Sequence, residues 1–152
     1  MSDLEALYQD VILDHAKRPR NFRQIENADH HADGFNRLCG DKVTIYLHIV
    51  DDRIADISFE GSGCAISTAS ASILTETLKG KTRAEADAIF ETFHKLVTGR
   101  FGESTDEPAL GKLAVFAGVS KFPVRVKCAS LAWHTMHSAL AGAPTVTSTE
   151  EK

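Results

Sequence analysis

Apolar residues at Leu4, Leu7, Tyr8, Val11 and Ile12 recur at helical spacing, which predicts an opening helix with one buried stripe. Ser2-Asp3-Leu4-Glu5 has the form of a capping box, and His15, Lys17 and Arg18 load the last turn before Pro19 stops it. The polar stretch Asn21 to Arg37 shows no clear period. It is expected to cross the surface, pairing one short edge strand. From Lys42 to Val50 the period changes to two, with Val43, Ile45, Leu47 and Ile49 alternating with Lys42, Thr44, Tyr46 and His48. Arg53–Glu60 alternates again, Ala55, Ile57 and Phe59 sharing a face, and Asp51-Asp52 between the runs reads as a hairpin turn. Gly61-Ser62-Gly63 is expected to break the second strand.

Helical spacing then returns. Cys64 to Lys79 is rich in Ala, Ser and Thr, with Ile66, Ala69, Ile73, Leu74 and Leu78 on one side and Gly80 as the stop. Thr82-Arg83-Ala84-Glu85 is a second capping box, opening a helix through Ile89, Phe90, Phe93, Leu96 and Val97. A polar loop from Gly99 to Glu107 leads to Pro108, which starts a short helix through Leu110, Leu113 and Phe116. The final helix is expected over Val126 to Leu140, its inner side including Leu131, Ala132, Thr135, Met136 and Ala139. A helix, a hairpin and then a run of helices imply an α+β fold: a small antiparallel sheet, with a third short strand beside the hairpin, covered by several helices. Residues 1–143 are expected to form a single domain, and residues 144–152 a disordered tail.

The 152 residues carry 17 Lys+Arg and 21 Asp+Glu, a formal charge of −4. Neither a nucleic-acid nor an anionic-membrane footprint is present in that balance. No apolar run approaches the roughly 20 residues that span a bilayer. The opening Met-Ser-Asp-Leu-Glu has no leader-like basic or apolar region, and a cytoplasmic location is expected. The cysteine count is three, which in a reducing compartment leaves metal binding, catalysis or core packing in place of a disulfide framework.

Each cysteine falls at an element boundary. Cys39 lies in Asn36-Arg37-Leu38-Cys39-Gly40-Asp41, Cys64 closes Gly61-Ser62-Gly63-Cys64, and Cys128 lies at or near the start of the final helix. Antiparallel pairing of the hairpin brings Cys39 and Cys64 to the same sheet end. The glycines beside them permit tight turns that a buried filler thiol does not need. Asp41, one glycine beyond Cys39, completes an S₃O set with Cys39, Cys64 and Cys128 that suits a tetrahedral ion such as Zn²⁺. Taken singly, each cysteine also reads as a small core residue and Asp41 as a turn residue. Lys42, Arg125 and Lys127 adjoin the set in sequence and would help offset its negative charge, though such residues more commonly are ordinary surface charge. The histidines are less directed: His30-His31 in the polar stretch, His48 on a wet strand face, His134 and His137 on a solvated helix edge.

Four segments together resemble the U-type iron–sulfur cluster assembly family (SufU, IscU and the N-terminal domain of NifU). They are Leu7-Tyr8-Gln9-Asp10-Val11-Ile12-Leu13-Asp14-His15 with Pro19-Arg20-Asn21-Phe22; Cys39-Gly40-Asp41; Gly61-Ser62-Gly63-Cys64-Ala65-Ile66-Ser67; and Phe122-Pro123-Val124-Arg125-Val126-Lys127-Cys128-Ala129-Ser130-Leu131. The resemblance covers about Leu4 to Leu140. Scaffold-type members carry His before the third cysteine, where this chain has Lys127, and a shorter stretch between the second and third cysteines. Both departures are similar to the SufU branch. That resemblance implies Zn²⁺ on Cys39, Asp41, Cys64 and Cys128, and a Cys39 that accepts persulfide sulfur from a PLP-dependent cysteine desulfurase of the SufS kind. Arg125 is given an assisting role, and downstream iron–sulfur assembly proteins are the expected recipients. One alternative is a scaffold that builds an Fe–S cluster on the same ligands. Others are a zinc-stapled interaction module without sulfur chemistry and, last, a thiol enzyme with Cys39 as nucleophile.

Overall fold

The first apolar stripe folds as α1 (Asp3–Lys17), in a computed structural model that describes residues 3–36, 40–99, 111–141 and 146–148. Tyr8, Val11 and Ile12 pack on the core. Beyond Pro19 the polar stretch does two things. Asn21 and Arg23 exchange backbone hydrogen bonds with Phe59 at 3.0 Å each, covering a strand edge that would otherwise be open. His30–Asn36 then forms β1, so His30 and His31 lie in a strand. Ser2 of the first capping box lies outside the described residues.

β2 (Asp41–Val50) and β3 (Arg53–Ser62) form the hairpin, and the strand order is β3-β2-β1-β4. β1, β2 and β3 are antiparallel. Asp51 and Asp52 both have positive φ, 52° and 65°, the primed turn whose twist matches paired strands. Aspartate tolerates this conformation well enough to replace glycine. Gly61-Ser62 does not end the strand, since Ser62 still pairs with Lys42. The expected face of β3 is also corrected. A register shift at His48/Ile49 pairs Ile49 with Ile54 and His48 with Asp56, leaving Ala55 as the extra residue. The bulge reverses the alternation, so Ile54 is buried and Ala55 exposed.

β1 is not an edge. Within the segment expected to fray, Val146–Ser148 forms β4 and pairs in parallel with Asp33–Phe35. The inner face of β1 presents Ala32, Gly34 and Asn36, all buried. A Cβ on Gly34 would fall on Thr135 Oγ1; the glycine lets the last helix approach the sheet.

The helical layer contains α2 (Ala65–Leu78), α3 (Arg83–Val97), a 3₁₀ segment (Gly111–Lys121) and α4 (Pro123–Leu140). Pro108 and Leu110 of the expected short helix lie outside the described residues. The Thr82–Glu85 capping box is complete. α4 starts at Pro123 because proline needs no N–H in a first turn, three residues before the expected Val126. Small residues let α2 run inside the layer, and its buried hydroxyls are paired. Ser70 Oγ donates to Ala129 O at 2.6 Å and accepts from Trp133 Nε1 at 3.1 Å. Ser72 Oγ accepts Arg20 N–H at 2.8 Å and bonds His15 Nδ1 at 2.7 Å. Among the described residues no helix is long and apolar enough to cross a membrane.

Candidate metal centre

The hairpin carries Asp41 and Cys64 to one end of the sheet, and α4 brings Cys128 there from the helical layer. The candidate ligand atoms of Asp41, Cys64 and Cys128 lie within 4.8 Å of one another. Cys39, the fourth expected member, lies outside the described residues.

Asp41 opens β2 and is fully buried. Gly40, at φ 70°, turns the chain into it through a conformation that a side chain disfavours. Asp41 Oδ1 accepts the Cys64 N–H at 2.9 Å. A Cβ on Gly63 would fall on that same oxygen, so the bare backbone at 63 is what lets the carboxylate lie flat. Asp41 Oδ2 is buried with no hydrogen-bond partner. An unpaired buried carboxylate oxygen is costly, and a cation between it and the two sulfurs removes the cost.

Cys64 is the N-cap of α2, where its Sγ accepts the Ser67 N–H at 3.5 Å. Sulfur here takes the place of the usual capping oxygen. The Cys128 thiol, hydrogen-bonded to this sulfur, is the main influence bringing the Cys64 pKa down to about 6. Burial opposes that, the Ser67 N–H adds to it, and the Asp41 carboxylate pushes the other way.

Cys128 departs from its expected place. Because α4 begins at Pro123, Cys128 sits beyond the first turn, 2% exposed, where backbone N–H groups are spent within the helix. Asn36 Nδ2 donates to its Sγ at 3.9 Å. Asn36 was not singled out by sequence reasoning. Its signal is a polar residue at an inward strand position, visible only once β1 is recognised.

Lys42 is exposed and Lys127 half-buried. Arg125, in the first turn of α4, holds its guanidinium 4.4 Å from the centroid of the Phe122 ring. It helps line a groove of about 580 Å³ with Tyr8, Ile12, Leu13, Ile66, Val119 and Phe122. The structure thus brings Asp41, Cys64 and Cys128 together, and places Arg125 in the first turn of the helix that carries Cys128. Two sulfurs and a carboxylate oxygen, one of its lone-pair sites orphaned, fit a thiophilic divalent ion.

Residues 7–129 match the family described as NifU-like N terminal domain. The chain is 39% identical over 140 residues to the iron–sulfur cluster assembly scaffold protein IscU of Streptococcus pyogenes serotype M1, covering 92% of this chain and 86% of that one. It is also 39% identical over 140 residues to the zinc-dependent sulfurtransferase SufU of Bacillus subtilis (strain 168), covering 92% and 93%. A crystal structure from Fervidobacterium islandicum AW-1, described as an iron–sulfur cluster assembly scaffold protein for the SUF system, matches with a TM-score of 0.80. That match has 38% identity and covers 90% of this chain and 98% of that one.

Proposed function

The chain belongs to the NifU-like N-terminal domain family, and on that premise we propose that it is a zinc-containing sulfur acceptor, taking persulfide sulfur on Cys39 from a PLP-dependent cysteine desulfurase and relaying it to downstream assembly proteins. Its class is iron–sulfur cluster assembly of the IscU/SufU type. The observation that carries the metal assignment is Asp41 Oδ2, buried and unpaired, on a carboxylate that shares a cluster with two sulfurs, its candidate ligand atoms within 4.8 Å of one another. Cys39, Asp41, Cys64 and Cys128 would hold the ion. Bound there, zinc supplies a redox-silent positive charge that keeps the thiols deprotonated.

The chain's own residues divide the remaining tasks. The Cys64 N–H orients Asp41, and the Ser67 N–H orients Cys64. Cys39, as thiolate, attacks the outer sulfur of the donor's persulfide. The donor's S–S bond breaks, its cysteine leaves as thiolate, and the transferred sulfur stays on Cys39 with no net oxidation. Arg125 stands three residues before Cys128 on α4, close enough in sequence to offset negative charge during that exchange.

Lys127 before the third cysteine, and an intervening Gly80–Lys121 stretch that includes α3 and the 3₁₀ segment, favour the acceptor over a cluster scaffold. Equal identity to a relative named as a scaffold supports the second reading, an Fe–S cluster built on the same ligands. Protein purified anaerobically should contain about one zinc per chain and be colourless; iron with sulfide and visible charge-transfer absorption would establish the scaffold instead. With desulfurase and cysteine, the peptide bearing Cys39 should gain one sulfur atom by mass. Normal sulfur uptake by Cys39→Ser protein would refute the acceptor role.

A further inference from the structure

We propose that Asn36 is a positioning residue for the metal site, its carboxamide N–H aiming and stabilising the Cys128 sulfur. The inference rests on the metal-site reading above. Three observations lead to it.

Along β1 the inward positions are Ala32, Gly34 and Asn36. A core position of this kind is ordinarily apolar, because a buried carboxamide must recover in hydrogen bonds what it loses in hydration. Asn36 is 0% exposed, a local rule broken where function is expected to break it. Second, Asn36 is the direct cross-strand partner of Asp41, so one pair of facing residues reaches the site from both strands. Third, Cys128 lies beyond the first turn of α4, where its own backbone N–H is taken up within the helix. Asn36 Nδ2, 3.9 Å from Cys128 Sγ, supplies a donor from outside the helix.

An N–H directed at a metal-bound sulfur stabilises the sulfur lone pairs and limits the directions in which they point. Partners of this kind tune metal affinity and are costly to remove. Asn36 would therefore set how tightly the site holds its ion and how strongly Cys128 donates to it.

Asn36→Leu removes the donor at similar volume, and Asn36→Asp removes it at nearly the same shape. Each full-length variant would be titrated with zinc against a chromophoric chelator, then loaded with Co²⁺ to record the sulfur-to-cobalt charge-transfer band. The expected result is zinc affinity about 10–100-fold weaker in both variants, with the band shifted to lower energy because the sulfur electrons are less stabilised. The band reports only on loaded protein, so it remains readable in a partly unfolded sample. A band at the parental position in both variants overturns the proposal, even if affinity falls, since a merely structural role weakens loading without altering the sulfur. A parent chain that binds neither zinc nor cobalt overturns the metal-site reading with it.

Discussion

Gly63→Ala tests whether the Asp41 carboxylate is held by the shape of the backbone beneath it. The added Cβ would fall on Asp41 Oδ1, with the carboxyl carbon at 3.0 Å and Asp41 Cβ at 3.1 Å. Crowding along the whole side chain means that rotating the carboxylate tip is not enough; Asp41 must swing away. The swing breaks the Cys64 N–H bond to Oδ1 and draws Oδ2 away from the sulfurs. A hydrogen bond to a charged group contributes about 1.5–3 kcal/mol, and each 1.4 kcal/mol is tenfold in affinity. Zinc binding should weaken by about 10–150-fold on that basis, measured by competition with a chelator of known affinity. Gly118→Ala is the matched control, because a Cβ there meets nothing within 4 Å, and it should bind zinc as the parent does. Parental zinc affinity in Gly63→Ala would refute the reasoning, since it would mean that the carboxylate is either free to move or not a ligand.

Other consequences can be measured on the fold. Ser72→Ala leaves the Arg20 N–H and the buried His15 ring without the shared hydroxyl; with about 1–3 kcal/mol for each stranded group, urea unfolding should report a loss of about 2–6 kcal/mol. Burial, and then the Arg20 charge, hold the His15 pKa below the usual histidine value of 6.5. The unfolded chain therefore takes up a proton that the folded chain refuses, so stability should fall as pH drops below 6.5, with a slope that His15→Phe reduces over the same window. Gly34→Ala drives a methyl into Thr135 Oγ1 and should cost about 1–3 kcal/mol of overpacking; Gly34→Ala with Thr135→Ala should recover most of that in a thermal melt.

What could be read from the sequence was local. The period of two in Lys42–Val50, the Thr82–Glu85 box and the Ala/Ser helix each announce themselves within a few residues, and all three are present. β1 was obscured because its inward residues are small or polar. Ala32 and Gly34 are small where α4 presses close, and Asn36 is polar beside the candidate metal site. β4 pairs with a strand more than a hundred positions earlier, and no local pattern encodes such a partner. Ala55 was misplaced by a bulge, and the start of α4 by three residues, because Pro123 is itself the first helical residue. The convergence of Asp41 with Cys64 followed from hairpin geometry. The orphaned Oδ2 and the Asn36 donor needed coordinates.

The three described candidate ligands receive hydrogen bonds of three origins. Asp41 is bonded by the Cys64 N–H in the turn after β3, Cys64 by the Ser67 N–H at a helix start, and Cys128 by a strand side chain. All three donors are neutral dipoles on packed elements, so they hold the anionic atoms without depending on salt or on a mobile side chain. With Cys39 as the proposed fourth ligand, three thiolates and a carboxylate exceed the charge of a divalent ion by two. Lys42 and Arg125, the latter over the Phe122 ring, are exposed cations nearby in sequence and would meet the negative charge that an incoming persulfide adds. Neutral donors inside and exposed cations outside suit the proposed centre, which would keep its ion while sulfur is exchanged at Cys39.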